Sequence, residues 1–158
     1  MSTGFDRAVA LVPRHEGGYV KDPRDSGGET HYGISKRAYP HLDIQALTPA
    51  EASVLYRRDY WERCHCDDLP PDVALLVFDA AVNQGTSQAI RFLQEAACVR
   101  VDWVIGPVTL EGARQGGVAH RLAVLRALRY TRLPSFNIYG NGWLNRLFDV
   151  YGEAIKAG

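Results

Sequence analysis

The segment from Val73 to Gln84 limits the possible folds of this chain more than any other part of its sequence. Apolar residues occur on nearly all sides of its helical projection, at Val73, Leu75, Leu76, Val77, Phe78, Ala80, Ala81 and Val82. A helix that is hydrophobic on all sides is stable only when the rest of the protein covers it. We therefore expect a central buried helix in a mainly helical domain.

Start signals predict further helices. Thr48, Pro49 and Glu51 combine a capping hydroxyl, a proline at the first helical position and a glutamate at the third. Thr3 and Asp6 resemble a capping box at the start of an amphipathic segment that continues to the glutamate at position 16. Both segments are therefore predicted to be helices.

Turn residues divide the remainder of the chain. Gly85 is expected to end the central helix, and Thr86 or Ser87 to cap the next one. Later helices are predicted from Pro107 onwards, over 118–133 and over 143–155. The glycine-rich stretch near 19–34 is the only predicted β or loop excursion, and short linkers throughout predict a single domain over 1–158.

Composition excludes several classes of protein. The 158 residues carry 18 basic and 18 acidic side chains, so the formal net charge is zero. No overall electrostatic attraction therefore favours a nucleic-acid partner. No apolar run reaches the roughly 20 residues of a membrane span, and the N-terminus has no signal-peptide pattern. We therefore expect a cytoplasmic location on synthesis and no membrane insertion.

The cysteines give no sign of a disulfide framework or a metal site. Three cysteines cannot all pair within one chain. Cys64, His65 and Cys66 stand closer together than zinc ligands usually do, and no second ligand pair follows. Cys98 is expected in the apolar core of a helix. We predict no metal and no cofactor.

The segment from His15 to Ile34 carries the residues best suited to chemistry. Glu16 ends an apolar-periodic helix, so its carboxylate faces the negative end of the helix dipole, which raises a carboxyl pKa. Cleavage of a glycosidic bond needs one carboxyl that donates a proton and a second that activates water or attacks the sugar. Asp25, nine positions later, is the candidate second group, whereas Asp22 precedes a proline and suits a turn. An ordinary surface glutamate at a helix end is the alternative interpretation of Glu16.

This segment resembles a known signature. The run Glu-Gly-Gly-Tyr-Val-x-Asp-Pro-x-Asp-x-Gly-Gly-Glu-Thr-x-Tyr-Gly-Ile, from 16 to 34, is similar to the opening motif of glycoside hydrolase family 108, the N-acetylmuramidases of phage endolysins and some bacterial secretion loci. The likeness continues through Tyr60-Trp61 and the run from Phe78 to Gly85. It ends with Ala89–Leu93 and Val104–Leu110, which resemble the predicted peptidoglycan-binding half of such enzymes.

The resemblance implies a lysozyme-like fold with two lobes, here 1–86 as a catalytic lobe and 87–158 as a helical lobe. It implies cleavage of the β-1,4 bond between N-acetylmuramic acid and N-acetylglucosamine, with inversion as the expected outcome. Glu16 matches the catalytic acid. Glu16, Asp25 and Thr30 resemble the Glu, Asp, Thr trio of phage-type lysozymes, with one residue fewer between Asp25 and Thr30. Asp22 remains open as an alternative second carboxylate.

Further side chains are candidates for binding the glycan. Aromatic rings provide flat walls for sugars, and amides at the end of an apolar helix provide hydrogen bonds, although core packing and helix capping explain such residues equally well. The candidates are Tyr19, Tyr32, Tyr60, Trp61, Asn83 and Gln84. The expected partner is bacterial peptidoglycan, reached by a monomer through a holin or an export pore. A lytic transglycosylase and a non-catalytic wall-binding module are the alternative functions.

Overall fold

A computed structural model describes residues 3–16, 18–23 and 28–158, with the side chains of 13–16 outside the described part. As predicted, the fold is mainly helical with a small sheet. Its helices are α1 (Gly4–Glu16), α2 (Pro49–Tyr56), α3 (Pro71–Gln84), α4 (Thr86–Ala96), α5 (Pro107–Ala113), α6 (Val118–Thr131) and α7 (Phe136–Ile155), and its strands are β1 (Val20–Lys21), β2 (Glu29–His31) and β3 (Ile34–Ser35). A π-helical segment, Arg57–Glu62, continues α2, and a 3₁₀ turn covers Cys66–Asp68.

The chain divides into two compact units, Met1–Asp59 and Tyr60–Gly158. The N-terminal unit contains α1, the sheet and α2. Its three strands are antiparallel in the order β1-β2-β3, with Thr30 opposite Val20 on one side and Ser35 on the other. The predicted capping box of α2 is confirmed: the Thr48 hydroxyl accepts from Glu51 N at 3.3 Å, and the Glu51 carboxylate accepts from Thr48 N at 2.9 Å.

The C-terminal unit is built around α3, which packs against α4, α6 and α7. Every residue from Val73 to Ala81 is buried, including the charged Asp79. The prediction of a central buried helix is therefore confirmed. Its end is also as predicted, since Gly85 follows α3 with a φ of 92°, a conformation that favours glycine.

Three local predictions were wrong. Neither Thr86 nor Ser87 caps α4, because the helix begins at Thr86 itself and Gly85 provides no side-chain cap. Cys98 is exposed rather than buried, since α4 ends at Ala96 and Cys98 lies beyond it in the left-handed region. The last helix begins at Phe136, seven residues earlier than predicted.

The early start of α7 has a packing explanation. It passes through Gly140, where an added Cβ would lie 2.5 Å from the ring of Phe136. The glycine therefore provides room for this ring on the helix surface and does not interrupt the helix.

The first helix contains a proline near its end. It continues through Pro13 to Glu16, so the proline does not end the helix.

None of the described helices is both long and apolar enough to cross a bilayer.

Candidate functional site

The predicted catalytic segment begins where α1 ends. Glu16 is the last residue of α1, and its side chain lies outside the described part of the structure. Asp25 also falls outside the described residues. Thr30 is half-buried in the middle strand and shares a sheet face with Val20 and Ser35, because paired residues of antiparallel strands lie on the same face. The structure thus places the end of α1 and Thr30 in the same unit.

The opposite face of the sheet carries an aromatic cluster around His31. The His31 ring stacks on Tyr32 at 4.0 Å between centroids and meets the edge of Tyr19 at 5.7 Å. Its Nδ1 lies 3.1 Å from the carbonyl oxygen of Ile44, and since a carbonyl only accepts, Nδ1 carries the proton. The Tyr56 hydroxyl donates to the backbone oxygen of Tyr32 at 2.6 Å, which ties the β2–β3 turn to α2.

The candidate aromatic residues differ in their exposure. Tyr19 is 37% exposed and Tyr32 is half-buried, so part of each ring faces solvent. Trp61, in contrast, is only 2% exposed. Its Nε1 donates to Asp67 at 2.8 Å and its ring meets Phe78 edge-on at 5.7 Å, which places it in the core of the C-terminal unit. Tyr60 is half-buried.

Asn83 and Gln84 both bond to side chains of α6. Gln84 Oε1 accepts from Arg126 Nε at 2.9 Å, and Asn83 Oδ1 accepts from the hydroxyl of Tyr130. Neither amide side chain therefore serves only as a helix cap, and both belong to a polar network at the C-terminal end of α3.

Asp79 anchors this network in the core. Its Oδ2 accepts from Arg126 Nη2 at 2.8 Å, and its Oδ1 accepts from Arg146 Nη2 at 2.9 Å. Burial by itself raises the pKa of Asp79, but attraction to the two guanidinium groups and their hydrogen bonds outweigh it and hold the pKa below its usual value. The carboxylate is therefore ionised and fixed, with α6 and α7 held to α3.

Sequence reasoning missed this network. Its signal was a charged residue inside an otherwise apolar helix, which requires a buried partner. Its partners lie 47 and 67 positions away along the chain, so no local pattern identified Arg126 or Arg146.

The cysteines show little sign of chemistry. Cys64 and Cys66 are buried, and burial raises the pKa of Cys64 to about 12 and that of Cys66 well above its usual value. Within the described ranges, no three histidine, cysteine or acidic side chains lie close enough together to hold a metal ion.

Comparison with known proteins identifies the family. The family model described as Glycosyl hydrolase 108 matches residues 9–85. A solved structure, that of Brucella abortus SagA, is 32% identical in sequence and superimposes with a TM-score of 0.87, covering 97% of this chain and 94% of that one. This chain belongs to glycosyl hydrolase family 108. A comparison with curated proteins gave no match.

Membership of family 108 establishes the chain as a glycoside hydrolase with peptidoglycan as its substrate class. The lysozyme-like helical fold is that of the family. The matched stretch begins within α1, includes the whole sheet and ends at Gly85 after α3. It therefore contains all the catalytic residues predicted from the sequence.

Proposed function

We propose that this chain is a lysozyme-type N-acetylmuramidase that hydrolyses the β-1,4 bond between N-acetylmuramic acid and N-acetylglucosamine, with Glu16 as general acid. The observation that carries this proposal is the position of Glu16 as the last residue of α1, inside the stretch matched by family 108. A carboxyl at a helix C-terminus faces the negative end of the dipole and lacks free backbone donors. Both effects favour the protonated form that a general acid needs.

The proposed reaction is a single displacement. Glu16 protonates the leaving glycosidic oxygen, while Asp25, assisted by the Thr30 hydroxyl, holds a water molecule on the opposite face of the sugar. Inversion requires carboxyl groups about 6.5–9.5 Å apart, to leave room for that water. The inverting outcome rests on the resemblance of the trio to phage-type lysozymes.

Tyr19 and Tyr32 are the best-supported sugar-binding rings of the N-terminal unit. Both rings contact His31, adjacent to Thr30 in β2, and both keep part of their surface in solvent. Trp61 supports the fold from within the core, so its contribution to the substrate site is indirect. The motif resemblance favours an endolysin role with release through a pore, and toxin delivery is the alternative.

The test uses Glu16→Gln, which keeps the side-chain shape but cannot donate a proton. We expect a loss of activity on purified peptidoglycan near the upper end of the ~10²–10⁴-fold range of general acid–base catalysis, with unchanged circular dichroism and wall binding. Asp25→Asn is expected to lose nearly as much, and Thr30→Ala less. Asp22→Asn is the matched control and should keep a near-normal rate, since asparagine also suits a turn.

Mass spectrometry of the digest separates the candidate reactions. A muramidase leaves reducing N-acetylmuramic acid, a lytic transglycosylase leaves an anhydro sugar, and a binding module leaves the wall intact. Full activity of Glu16→Gln would refute the proposed mechanism. A dead Asp22→Asn beside a healthy Asp25→Asn would move the second carboxylate to Asp22.

A further inference from the structure

A cavity of about 140 Å³ lies in the C-terminal unit, where α4 packs against α6. Its lining residues are Gln88, Arg91, Phe92, Glu95, Leu125, Leu128, Arg129 and Arg132. None of them is a predicted catalytic or sugar-binding residue. Pockets that enclose drug-sized ligands measure about 300–1,000 Å³, so this cavity accommodates one small group and not a sugar chain.

The charged part of the lining is mainly cationic. Three guanidinium groups, those of Arg91, Arg129 and Arg132, line the cavity beside the single carboxylate of Glu95, which leaves a net charge of +2. The chain as a whole is formally neutral. The positive charge at this cavity is therefore a local feature of the groove between α4 and α6.

Two of these guanidinium groups have no partner within the described part of the chain. Arg91 Nε donates to Glu95 Oε1 at 2.7 Å, across one turn of α4. Arg129 and Arg132 are exposed, and neither side chain makes a hydrogen bond or an ion pair with a described residue. Arg129 lies in the last turn of α6 and Arg132 follows that helix directly, where the negative end of the helix dipole stabilises cations. Two unpaired guanidinium groups thus line one cavity together with a third.

The remaining lining is neutral. Gln88 lies one turn before Arg91 on α4 and is half-buried, so its amide group adds a neutral hydrogen-bond donor. Phe92 is buried and Leu128 is 44% exposed, and their side chains form part of an apolar wall. Apolar walls reduce the screening by water, which strengthens the attraction between an anion and the guanidinium groups.

The charge and the donors of the lining limit the ligand. Guanidinium groups bind both carboxylates and phosphates through paired N–H donors. A carboxylate has one charge and two oxygens, so it neutralises only half of the net charge. A phosphate monoester carries about −1.5 to −2 charges at pH 7 and presents three strong acceptor oxygens. It matches both the net charge and the number of guanidinium groups.

We propose that this cavity is a binding site for a phosphate group, with Arg129 and Arg132 as its main ligands and Arg91 as a further donor. The shared chemistry is that of a phosphate dianion, carried by a soluble phosphate or by the headgroup of an anionic phospholipid. The site goes beyond the proposed hydrolase mechanism and uses none of its residues. Phosphate binding should therefore be unchanged in Glu16→Gln, whatever the activity of that variant.

The test is calorimetric titration of the full-length chain with inorganic phosphate, and separately with acetate as the carboxylate probe. Constant ionic strength keeps the general screening of charges equal. We expect saturable one-to-one binding of phosphate and at least about tenfold weaker binding of acetate, because a hydrogen bond between charged groups is typically worth more than a tenfold change in affinity. Absence of saturable phosphate binding, or equal affinity for acetate, overturns the proposal.

Variants identify the residues responsible. Arg129→Gln and Arg132→Gln combined in one chain should weaken phosphate binding at least about tenfold, with unchanged circular dichroism. The matched control combines Arg100→Gln and Arg114→Gln, which remove the same charge from exposed positions outside the cavity and should leave the affinity within about twofold. An equal loss of affinity in both double variants would overturn the site, since net charge alone would then explain the binding.

Glu95 allows a test in the opposite direction. Glu95→Gln removes the carboxylate that repels an anion and that bonds Arg91. It is expected to tighten phosphate binding at least about twofold, a gain that a merely structural role for Glu95 would not produce. Weaker phosphate binding in a folded Glu95→Gln variant would overturn the proposed position of the phosphate.

Vesicles separate the two sources of the phosphate group. Co-sedimentation is measured with vesicles of phosphatidylcholine alone and with an equimolar mixture of phosphatidylcholine and phosphatidic acid. Binding to the mixed vesicles alone, lost in the Arg129 and Arg132 double variant, supports the site with a lipid headgroup as ligand. Binding of inorganic phosphate without binding to either kind of vesicle supports the site with a soluble phosphate as ligand.

Discussion

Asp79 shows how much a single buried charge depends on its partners. Two guanidinium groups, those of Arg126 and Arg146, bond its two oxygens inside the core. Removing one partner of a buried ion pair leaves an uncompensated charge, which typically costs about 3–5 kcal/mol. Exposed pairs such as Arg114–Glu111, 3.6 Å apart, contribute about 0–1 kcal/mol.

We therefore predict that Asp79→Asn lowers the free energy of unfolding by about 3–5 kcal/mol near neutral pH. Because the folded-state pKa of Asp79 lies below its usual value of 3.8, the ionised carboxylate stabilises the protein at all pH values above that. This stabilisation is lost as pH falls through the lower folded-state pKa. Urea unfolding of wild type and variant should therefore differ by a constant amount between about pH 5 and 7 and converge under strong acid.

Glu111→Gln is the control for this experiment. It removes an exposed carboxylate, with a side chain 73% exposed, and should change stability by less than about 0.5 kcal/mol. A comparable loss in both variants would show that net charge, and not the buried network, determines the effect.

The cysteines allow a second prediction at the residue scale. Reaction with a disulfide reagent requires the thiolate, and burial raises the pKa of both Cys64 and Cys66 far above neutrality. Titration of the folded protein at about pH 8 should therefore modify Cys98 alone, and Cys98→Ser should leave no reactive thiol. Unfolding should expose all three. Rapid reaction of a second thiol in the folded protein would contradict the buried position of Cys64 and Cys66.

The position of a single residue could be predicted from the sequence only where neighbouring residues carried the signal. Glu16 was placed at a helix end from the apolar pattern before it and the glycines after it, and α1 does end there. Cys98 was misplaced because apolar neighbours continue past Ala96, where the helix stops. The role of Asp79 was not recognised because its partners belong to helices that come later in the chain.

Helix starts are decided by a few hydrogen bonds, which makes them testable. Thr48 caps α2 with a reciprocal pair of bonds to Glu51, whereas Thr86 begins α4 without any side-chain cap. Thr48→Ala should lower stability by about 0.5–2 kcal/mol, measured as the shift in the urea midpoint. Thr86→Ala is the matched control and should remain within about 0.5 kcal/mol of wild type. The opposite ranking would show that the hydroxyl of Thr86 acts as a cap.

At the level of elements, the sequence predicted helix starts better where two signals coincided. Threonine, proline and glutamate together identified α2 correctly, but a hydroxyl alone misidentified the cap of α4. The last helix was predicted to begin at 143, three residues after Gly140, whereas α7 begins at Phe136 and continues through this glycine. Only the packing of Phe136 against it shows why the helix tolerates glycine there.

For the whole molecule, the mainly helical fold class followed from one physical requirement. A helix that is apolar on all sides must be buried by other parts of the protein on every side. The boundary between the two units, at Asp59 and Tyr60, could not be predicted from the sequence. It falls inside a continuous run of helical backbone, where no turn or linker residues mark it. The candidate catalytic segment was identified from its carboxylates and glycines. The network around Asp79 was not identified, since its charged members belong to three separate helices.

This organisation predicts a gradient of local stability within the protein. Amides exchange slowest where opening requires global unfolding, and fastest where few buried contacts protect the hydrogen bonds. All residues from Val73 to Ala81 are buried, whereas β1 is exposed and β2 only half-buried. Hydrogen–deuterium exchange read by mass spectrometry should therefore show the slowest exchange in peptides from α3 and rapid exchange at the amides of β1 and β2. Exchange in α3 as fast as in the sheet would mean that the central helix opens without the rest of its unit, and that the buried network around Asp79 does not hold it.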